Sequence, residues 1–192
     1  MGKHPSRWTR VYESTKELPP HESLFQALEL VREREAALDL GAGAMRDTKL
    51  LLKVGFEKVV AVDSEPINQH NEISDDRLEI VVQRFESYDF PEDSFNVVNA
   101  QFSLPFTSPT CFNTVFDKLK SSLMPGGIFV GQLFGKNDEW SSDKKMTFHS
   151  LEEVQNLFSR MEILGFEEKE QDGTTAAGTQ KHWHVFQITA RK

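Results

Sequence analysis

Two glycines and two carboxylates in the first third of the chain have the spacing of a ligand site. Asp39-Leu40-Gly41-Ala42-Gly43 ends one apolar stretch, and Asp63 ends a second, Val59 to Val62, 24 residues beyond Asp39. Glycines at 41 and 43 let the main chain approach a ligand closely, and the first N–H groups of a helix that follows have no partner within it. A carboxylate at the end of the neighbouring strand can accept hydrogen bonds from both hydroxyls of a ribose, and its charge disfavours a 2′-phosphate. A third glycine at position 46 would complete the dinucleotide fingerprint, but Arg46 stands there. The Gly-Lys-Ser/Thr ending of a phosphate-binding loop is missing too. These residues suit the holding of an unphosphorylated, adenosyl-containing ligand, with NAD-dependent hydride transfer as the less favoured reading.

Nothing else in the sequence declares a reactive group so plainly. His149 precedes Ser150 at the end of a polar loop that can border a cleft, which makes it either a substrate-side residue or a loop histidine. His182 and His184 flank Trp183 in an alternating stretch that puts both on the side opposite the tryptophan, where a solvent-facing or edge role is expected. No H-E-x-x-H or C-x-x-C spacing accompanies the six histidines, so no metal site is expected. The lone Cys111 cannot form an internal disulfide, which suits a reducing compartment, and it reads as a small buried residue rather than a nucleophile.

The elements that position these residues follow from periodicity. Leu24, Leu28 and Val31 give a helix over 21–34, and Ala36 to Leu40, nearly apolar on both faces, is a strand for the middle of a parallel sheet. A helix after Asp47 and a strand to Asp63 complete the first unit, and Glu65-Pro66 opens a short helix through Ile67. Strands follow at 78–82, 95–100 and 128–133, with a helix from Ser108-Pro109 through Leu123 before the last of them. Ser150 and Glu153 form a capping box for a helix whose core face is Leu151, Val154, Leu157, Phe158, Met161 and Leu164. A strand at 165–167 and another at 183–189 are joined by a Gly- and Thr-rich link with no crossover helix, so they must be an antiparallel pair at the sheet edge. The expected fold is α/β and Rossmann-like: a seven-stranded, mostly parallel sheet with helices on both faces and a C-terminal antiparallel edge hairpin. Residues 1–192 are expected to form one domain, with 1–20 as an N-terminal tail or lid carrying Trp8 and Tyr12.

Composition sets the outer limits. A chain of 192 residues can bury a sizeable core, and a net charge of −8, from 22 Lys+Arg against 30 Asp+Glu, argues against gripping nucleic acid through its phosphates. No run approaches 18 apolar residues and no targeting segment is visible, which leads to the expectation of a cytoplasmic protein with no membrane partner. Oligomeric state is open.

Asp39-Leu40-Gly41-Ala42-Gly43, Asp63, Gln83-Arg84-Phe85-Glu86, Asn99-Ala100-Gln101-Phe102 and Leu123-Met124-Pro125-Gly126-Gly127, in this order, resemble the class I S-adenosylmethionine-dependent methyltransferases. Gly43 to Thr48, the Leu50-Leu51 helix and the lead-in with Trp8, Tyr12 and Pro20 further resemble the tellurite-resistance-type small-molecule methyltransferases. The resemblance implies that Asp39, Gly41, Ala42 and Gly43 lie against the methionine part of the cofactor. It also implies that Asp63, with Ser64, takes the ribose hydroxyls and that Arg84 and Phe85 lie at the adenine. Asn99, Gln101 and Phe102 would then lie beneath the methyl donor. Arg46 is open between the cofactor carboxylate, a substrate anion and solvent. Two departures stand out: Ala44-Met45 replaces a further glycine, and Arg84-Phe85 replaces an acidic residue followed by a small one, which leaves Glu86 or a backbone carbonyl for the adenine amino group. Trp8, Tyr12, Phe102, Phe106 and Trp140 are the aromatics expected around the methyl acceptor, a small molecule, with Tyr12 and His149 as substrate-side candidates. Protein or RNA methylation and a non-catalytic nucleoside-binding module are the alternatives.

Overall fold

A computed structural model describes residues 7–66 and 73–192. Along the chain it contains α1 (Arg7–Thr15), α2 (Glu22–Leu28), β1 (Ala36–Leu40), α3 (Arg46–Lys53), β2 (Lys58–Asp63), β3 (Leu78–Val82) and β4 (Phe95–Ala100). Then come α4 (Phe112–Ser122), β5 (Leu123–Gly135), β6 (Phe148–His149), α5 (Leu151–Leu157), β7 (Glu162–Thr174) and β8 (Gln180–Arg191). The helix expected to run from Glu65-Pro66 through Ile67 lies partly outside the described residues.

The sheet order is β3-β2-β1-β4-β5-β8-β7, with β6 pairing the end of β5, so it has eight strands rather than seven. From β3 to β5 every pairing is parallel, and β8 runs antiparallel to both β5 and β7. The chain moves outward from β1 to β3 and then returns to add β4 on the other side of β1. That reversal opens a crevice at the carboxyl ends of β1 and β4, where ligands bind in open α/β sheets.

Alternation along the central strands feeds two cores. Leu38, Leu40, Val98 and Ala100 face a cluster with Phe112, Phe116 and Phe158, under α4 and α5. Ala37, Val59 and Val97 face the opposite cluster with Leu24, Leu51 and Phe56, under α2 and α3. Helices therefore cover both faces, and β1, β2 and β4 are held rigidly from two sides.

Departures from the sequence reading have local causes. α2 stops at Leu28, because the Arg32 to Glu35 run gives a longer helix no apolar face to bury. α4 starts at Phe112, since the Cys111 and Phe112 N–H groups both donate to Ser108 O at 2.9 Å and wind a turn first. Cys111 is consequently half-buried rather than buried. β5 begins at Leu123 and passes through Pro125-Gly126-Gly127 with a register shift against β4. The edge hairpin is far longer than expected, and its link shrinks to residues 175–179. At α5 the capping box is present, with Ser150 N donating to Glu153 Oε2 at 2.7 Å, but Leu151 of its expected core face is exposed.

Candidate active site

The turn after β1 is tied to the end of β2: Gly41 N and Ala42 N both donate to Val62 O, at 2.8 and 3.3 Å. Gly41 has φ +77°, and a Cβ there would lie 2.3 Å from Ser103 Cβ, so only glycine lets the turn pass the segment after β4. Gly43, at φ +48°, is open instead: the nearest atom to a Cβ would be Gly41 O at 3.8 Å. Its N–H donates to Asp63 Oδ2 at 2.9 Å, while Asp63 Oδ1 accepts from Glu65 N at 2.9 Å. Two backbone donors thus fix a half-buried carboxylate at the rim of the crevice and leave its remaining lone pairs for a ligand.

Beneath the turn runs a chain of buried polar side chains. Asn99 Nδ2 donates to Asp39 Oδ1 at 2.8 Å and to Asp47 Oδ2 at 3.2 Å, and Thr48 Oγ1 donates to Asp39 Oδ2 at 2.5 Å. Gln101 Nε2 donates to Asn99 Oδ1 at 2.7 Å, and Gln101 Oε1 accepts from Ser23 Oγ and Gln132 Nε2. Gln132 Oε1 in turn accepts from Phe102 N at 3.0 Å, holding Phe102 at its unusual φ of +51°.

The two carboxylates in this network are driven apart. Burial, and then the nearby Asp47 charge, pushes Asp39 up to about 7. Burial alone would raise Asp47 as well, but the His21 ring at 2.7 Å and the His21 N–H at 2.8 Å outweigh it and hold Asp47 low. The His21 ring also meets Arg46 Nη2 at 2.6 Å, and Arg46 Nη1 donates to Pro19 O at 2.9 Å. The guanidinium therefore pins the lead-in between α1 and α2 to the cleft.

The cleft encloses about 930 Å³, enough for a nucleoside and a second small molecule. Gly41, Ala42, Gly43, Asp63, Ser64, Arg84, Phe85, Gln101 and Phe102, all expected at the cofactor, line it, and so does Arg46. Asp39 and Asn99 do not reach its wall: they are buried below and orient the groups that do. Glu86 lines the cleft while paired with Arg84 at 3.0 Å. At the far end Trp8, Phe106 and Trp140 line the cleft and are joined by Phe134 and Trp183. Trp8 meets Phe106 edge-on at 4.7 Å between ring centroids, and Trp140 and Trp183 are 5.8 Å apart.

Neither substrate-side candidate is brought to this wall. Tyr12 is buried beside it. The His149 ring packs on Phe112 at 4.6 Å between centroids, and burial pushes it down to about 4, so the ring is neutral at pH 7. His184 is buried rather than solvent-facing, with Nε2 2.9 Å from Glu168, because β7 extends across it; His182 pairs with Asp172 on the same strand. Among the described residues no cluster of His, Cys, Asp and Glu could hold a metal ion. No described helix is long and apolar enough to cross a membrane.

His21, Asp47, Ser103, Thr107, Phe134 and Trp183 line the cleft without having been singled out. The first pair bonds across 26 residues, and no local pattern in the sequence encodes that contact. Phe134 and Trp183 could have been found, since they follow from pairing the end of β5 with β8.

A parallel sheet with a topological switch beside a glycine turn, and a strand-end carboxylate one strand over, is the fold of the class I S-adenosylmethionine-dependent methyltransferases. Residues 38–131 match the family described as a methyltransferase domain. A comparison with the curated proteins finds no match. Among solved structures, TehB from Haemophilus influenzae is similar at 14% identity and a TM-score of 0.75, with 94% of this chain covered. The chain spans 65% of the TehB chain's length. The 1,6-didemethyltoxoflavin-N1-methyltransferase of Burkholderia thailandensis, with bound 1,6-didemethyltoxoflavin and S-adenosylhomocysteine, is 19% identical with a TM-score of 0.61, covering 100% of this chain and 93% of that one. The N-methyltransferase NodS of Bradyrhizobium japonicum WM9, in complex with S-adenosylhomocysteine, is 15% identical with a TM-score of 0.64, covering 95% and 98%.

Proposed function

We propose that the protein transfers a methyl group from S-adenosylmethionine to a small-molecule acceptor, with Asp63 holding the ribose. The observation that carries this reading is the Asp63 carboxylate, fixed by Gly43 N–H and Glu65 N–H on the wall of a cleft whose turn stays open at Gly43. Ser64 stands next to it, and Arg84, Phe85 and Glu86 surround the expected position of the adenine, where the Glu86 carboxylate suits the ring amino group. Arg46, beside His21, offers a positive charge to the cofactor's carboxylate. Asp39 and Asn99 act through Gln101 and Thr48, keeping the wall rigid.

Bound S-adenosylmethionine supplies a methyl group on a sulfonium, whose sulfur keeps the C–S electron pair as an acceptor lone pair bonds the carbon. What is left to the chain is to align the acceptor and exclude water. Trp8 on α1, with the aromatic rings at the ends of β5 and β8, closes the far end of the cleft, and an enclosed end of this size supports a small acceptor over a polymer. With Tyr12 and His149 both off the wall, an acceptor that ionises readily or attacks through a neutral lone pair fits best.

The test has two parts. Titration calorimetry should find one site for S-adenosylhomocysteine and none for NAD. Turnover, read as S-adenosylhomocysteine released across thiol, oxyanion and amine acceptors, then separates an enzyme from a binding module: cofactor binding with no release over the whole panel would refute the transfer.

A further inference from the structure

Arg46 and Asp47 are neighbours at the start of α3 with opposite charges, and both line the cleft. No ion pair joins them directly among the described residues; the His21 ring stands between them instead. Its Nδ1 lies 2.7 Å from Asp47 Oδ2, the His21 N–H donates to Asp47 Oδ1 at 2.8 Å, and Arg46 Nη2 lies 2.6 Å from Nε2 and 3.3 Å from Nδ1. His21 precedes α2, yet its side chain makes no capping bond there. Both ring nitrogens are turned to α3.

A guanidinium has only donors, so the nearer nitrogen, Nε2, must present its lone pair to Arg46, and the one proton of the ring is on Nδ1, toward the Asp47 carboxylate. That carboxylate is fixed from below as well, where Asn99 Nδ2 donates to Oδ2 at 3.2 Å. The Asp47 side chain is 7% exposed and that of His21 22%, so a buried anion orients a neutral ring that still reaches the cleft. The ring in turn orients a cation. Of the five N–H groups of Arg46 the described contacts use two, one to His21 and one to Pro19 O at 2.9 Å, which leaves three for a ligand. Were Arg46 to fold onto Asp47, the two charges would cancel and that free edge would be spent.

We propose that His21 is a positioning residue for the cofactor's carboxylate: its ring holds Arg46 off Asp47 and keeps the unused guanidinium edge for the amino-acid end of S-adenosylmethionine. This deepens the methyltransferase reading and rests on it. His21 lies 25 residues before Arg46, so the amino-acid end of the site is completed by the lead-in between α1 and α2. The ring takes no proton from the reaction and acts only through Arg46.

S-adenosylhomocysteine and 5′-deoxy-5′-methylthioadenosine share the adenosine and the thioether and differ in the amino-acid end, so the pair isolates the carboxylate contact. Both are titrated by calorimetry into the wild-type chain, His21→Asn, Arg46→Met and the double variant. Asparagine keeps a donor near the place of Nδ1 for Asp47 and puts nothing at the place of Nε2. The wild-type chain should prefer S-adenosylhomocysteine at least about tenfold, and His21→Asn should weaken that ligand about tenfold, as for one charge-assisted hydrogen bond, while the shorter nucleoside stays within about twofold. In the Arg46→Met chain, adding His21→Asn should change the S-adenosylhomocysteine Kd by less than about twofold, because the ring has no other route to the ligand. An S-adenosylhomocysteine Kd unchanged in His21→Asn would overturn the proposal. So would equal weakening of both ligands, which is the mark of a packing role, or additive losses in the double variant. Binding of neither ligand to the wild-type chain overturns the cofactor reading itself, a result distinct from these three.

Discussion

Asp63 is a single carboxylate with two backbone donors on one side and the cleft on the other. Replacing it with alanine removes the proposed ribose contact and also releases Gly43 and Glu65. Hydrogen bonds to a charged group are worth about 1.5–3 kcal/mol each, so Asp63→Ala should weaken S-adenosylhomocysteine binding by roughly ten- to a hundredfold in calorimetry. An unchanged Kd would detach this residue from the sugar. His149 makes a different prediction, because it lies in the core. In the folded chain its ring takes a proton only near pH 4, against 6.5 when free. Between those values the unfolded chain binds a proton that the folded chain refuses, so this contribution to stability is complete above 6.5 and lost as pH falls. Asp39, pushed up to about 7, works in the opposite sense: its folded form holds a proton that the unfolded form has shed, and stability falls as pH rises from 3.8. The two partly cancel in the wild-type profile, and the difference between wild type and His149→Phe isolates the histidine. The variant should lose less melting temperature on going from pH 7 to pH 5, and identical acid slopes would contradict the assignment. The glycine turn and Asp63 were legible in the sequence because a backbone conformation and a strand end are local facts. His21, which bonds Asp47 from another element, was not.

At the scale of elements, the β1 turn and the segment after β4 constrain one another. Gly41→Ala combines an unfavourable φ, about 1–2 kcal/mol, with a Cβ driven into Ser103 Cβ. The double variant with Ser103→Gly should recover the clash and not the backbone strain, a partial rescue visible in urea midpoints; full rescue would show that the turn tolerates a side chain. The end of β8 presents a second case. Lys181→Met leaves Asp138 buried with no cation, which costs on the order of 3–5 kcal/mol. Adding Asp138→Asn removes the stranded charge and should regain part of the lost melting temperature. If it regains nothing, the cost lies in ring packing instead. β7 shows why such elements escape a reading by pattern: its Glu167 to Asp172 run is exposed, and only the hydrogen-bond ladder to β8 makes it a strand. β6, two residues long, has no periodicity to detect, whereas β1, β2 and β4, apolar on both faces, could be read directly.

On the scale of the whole molecule, the parallel sheet, its helices on both faces and its antiparallel edge all followed from the order of apolar stretches and the lengths of their links. What pattern could not supply was depth. Asp39 and Asn99, expected at the cofactor, lie one layer below the cleft wall, and the aromatic end of the cleft is assembled from α1, the segment after β4, β5 and β8, elements that meet only through the fold. Titration calorimetry of the wild-type chain with S-adenosylhomocysteine and with NAD is the most direct measurement: one site per chain for the sulfur nucleoside at micromolar Kd, lost on Asp63→Ala, and no heat with NAD is the predicted result. Saturable NAD binding with none for S-adenosylhomocysteine would contradict it.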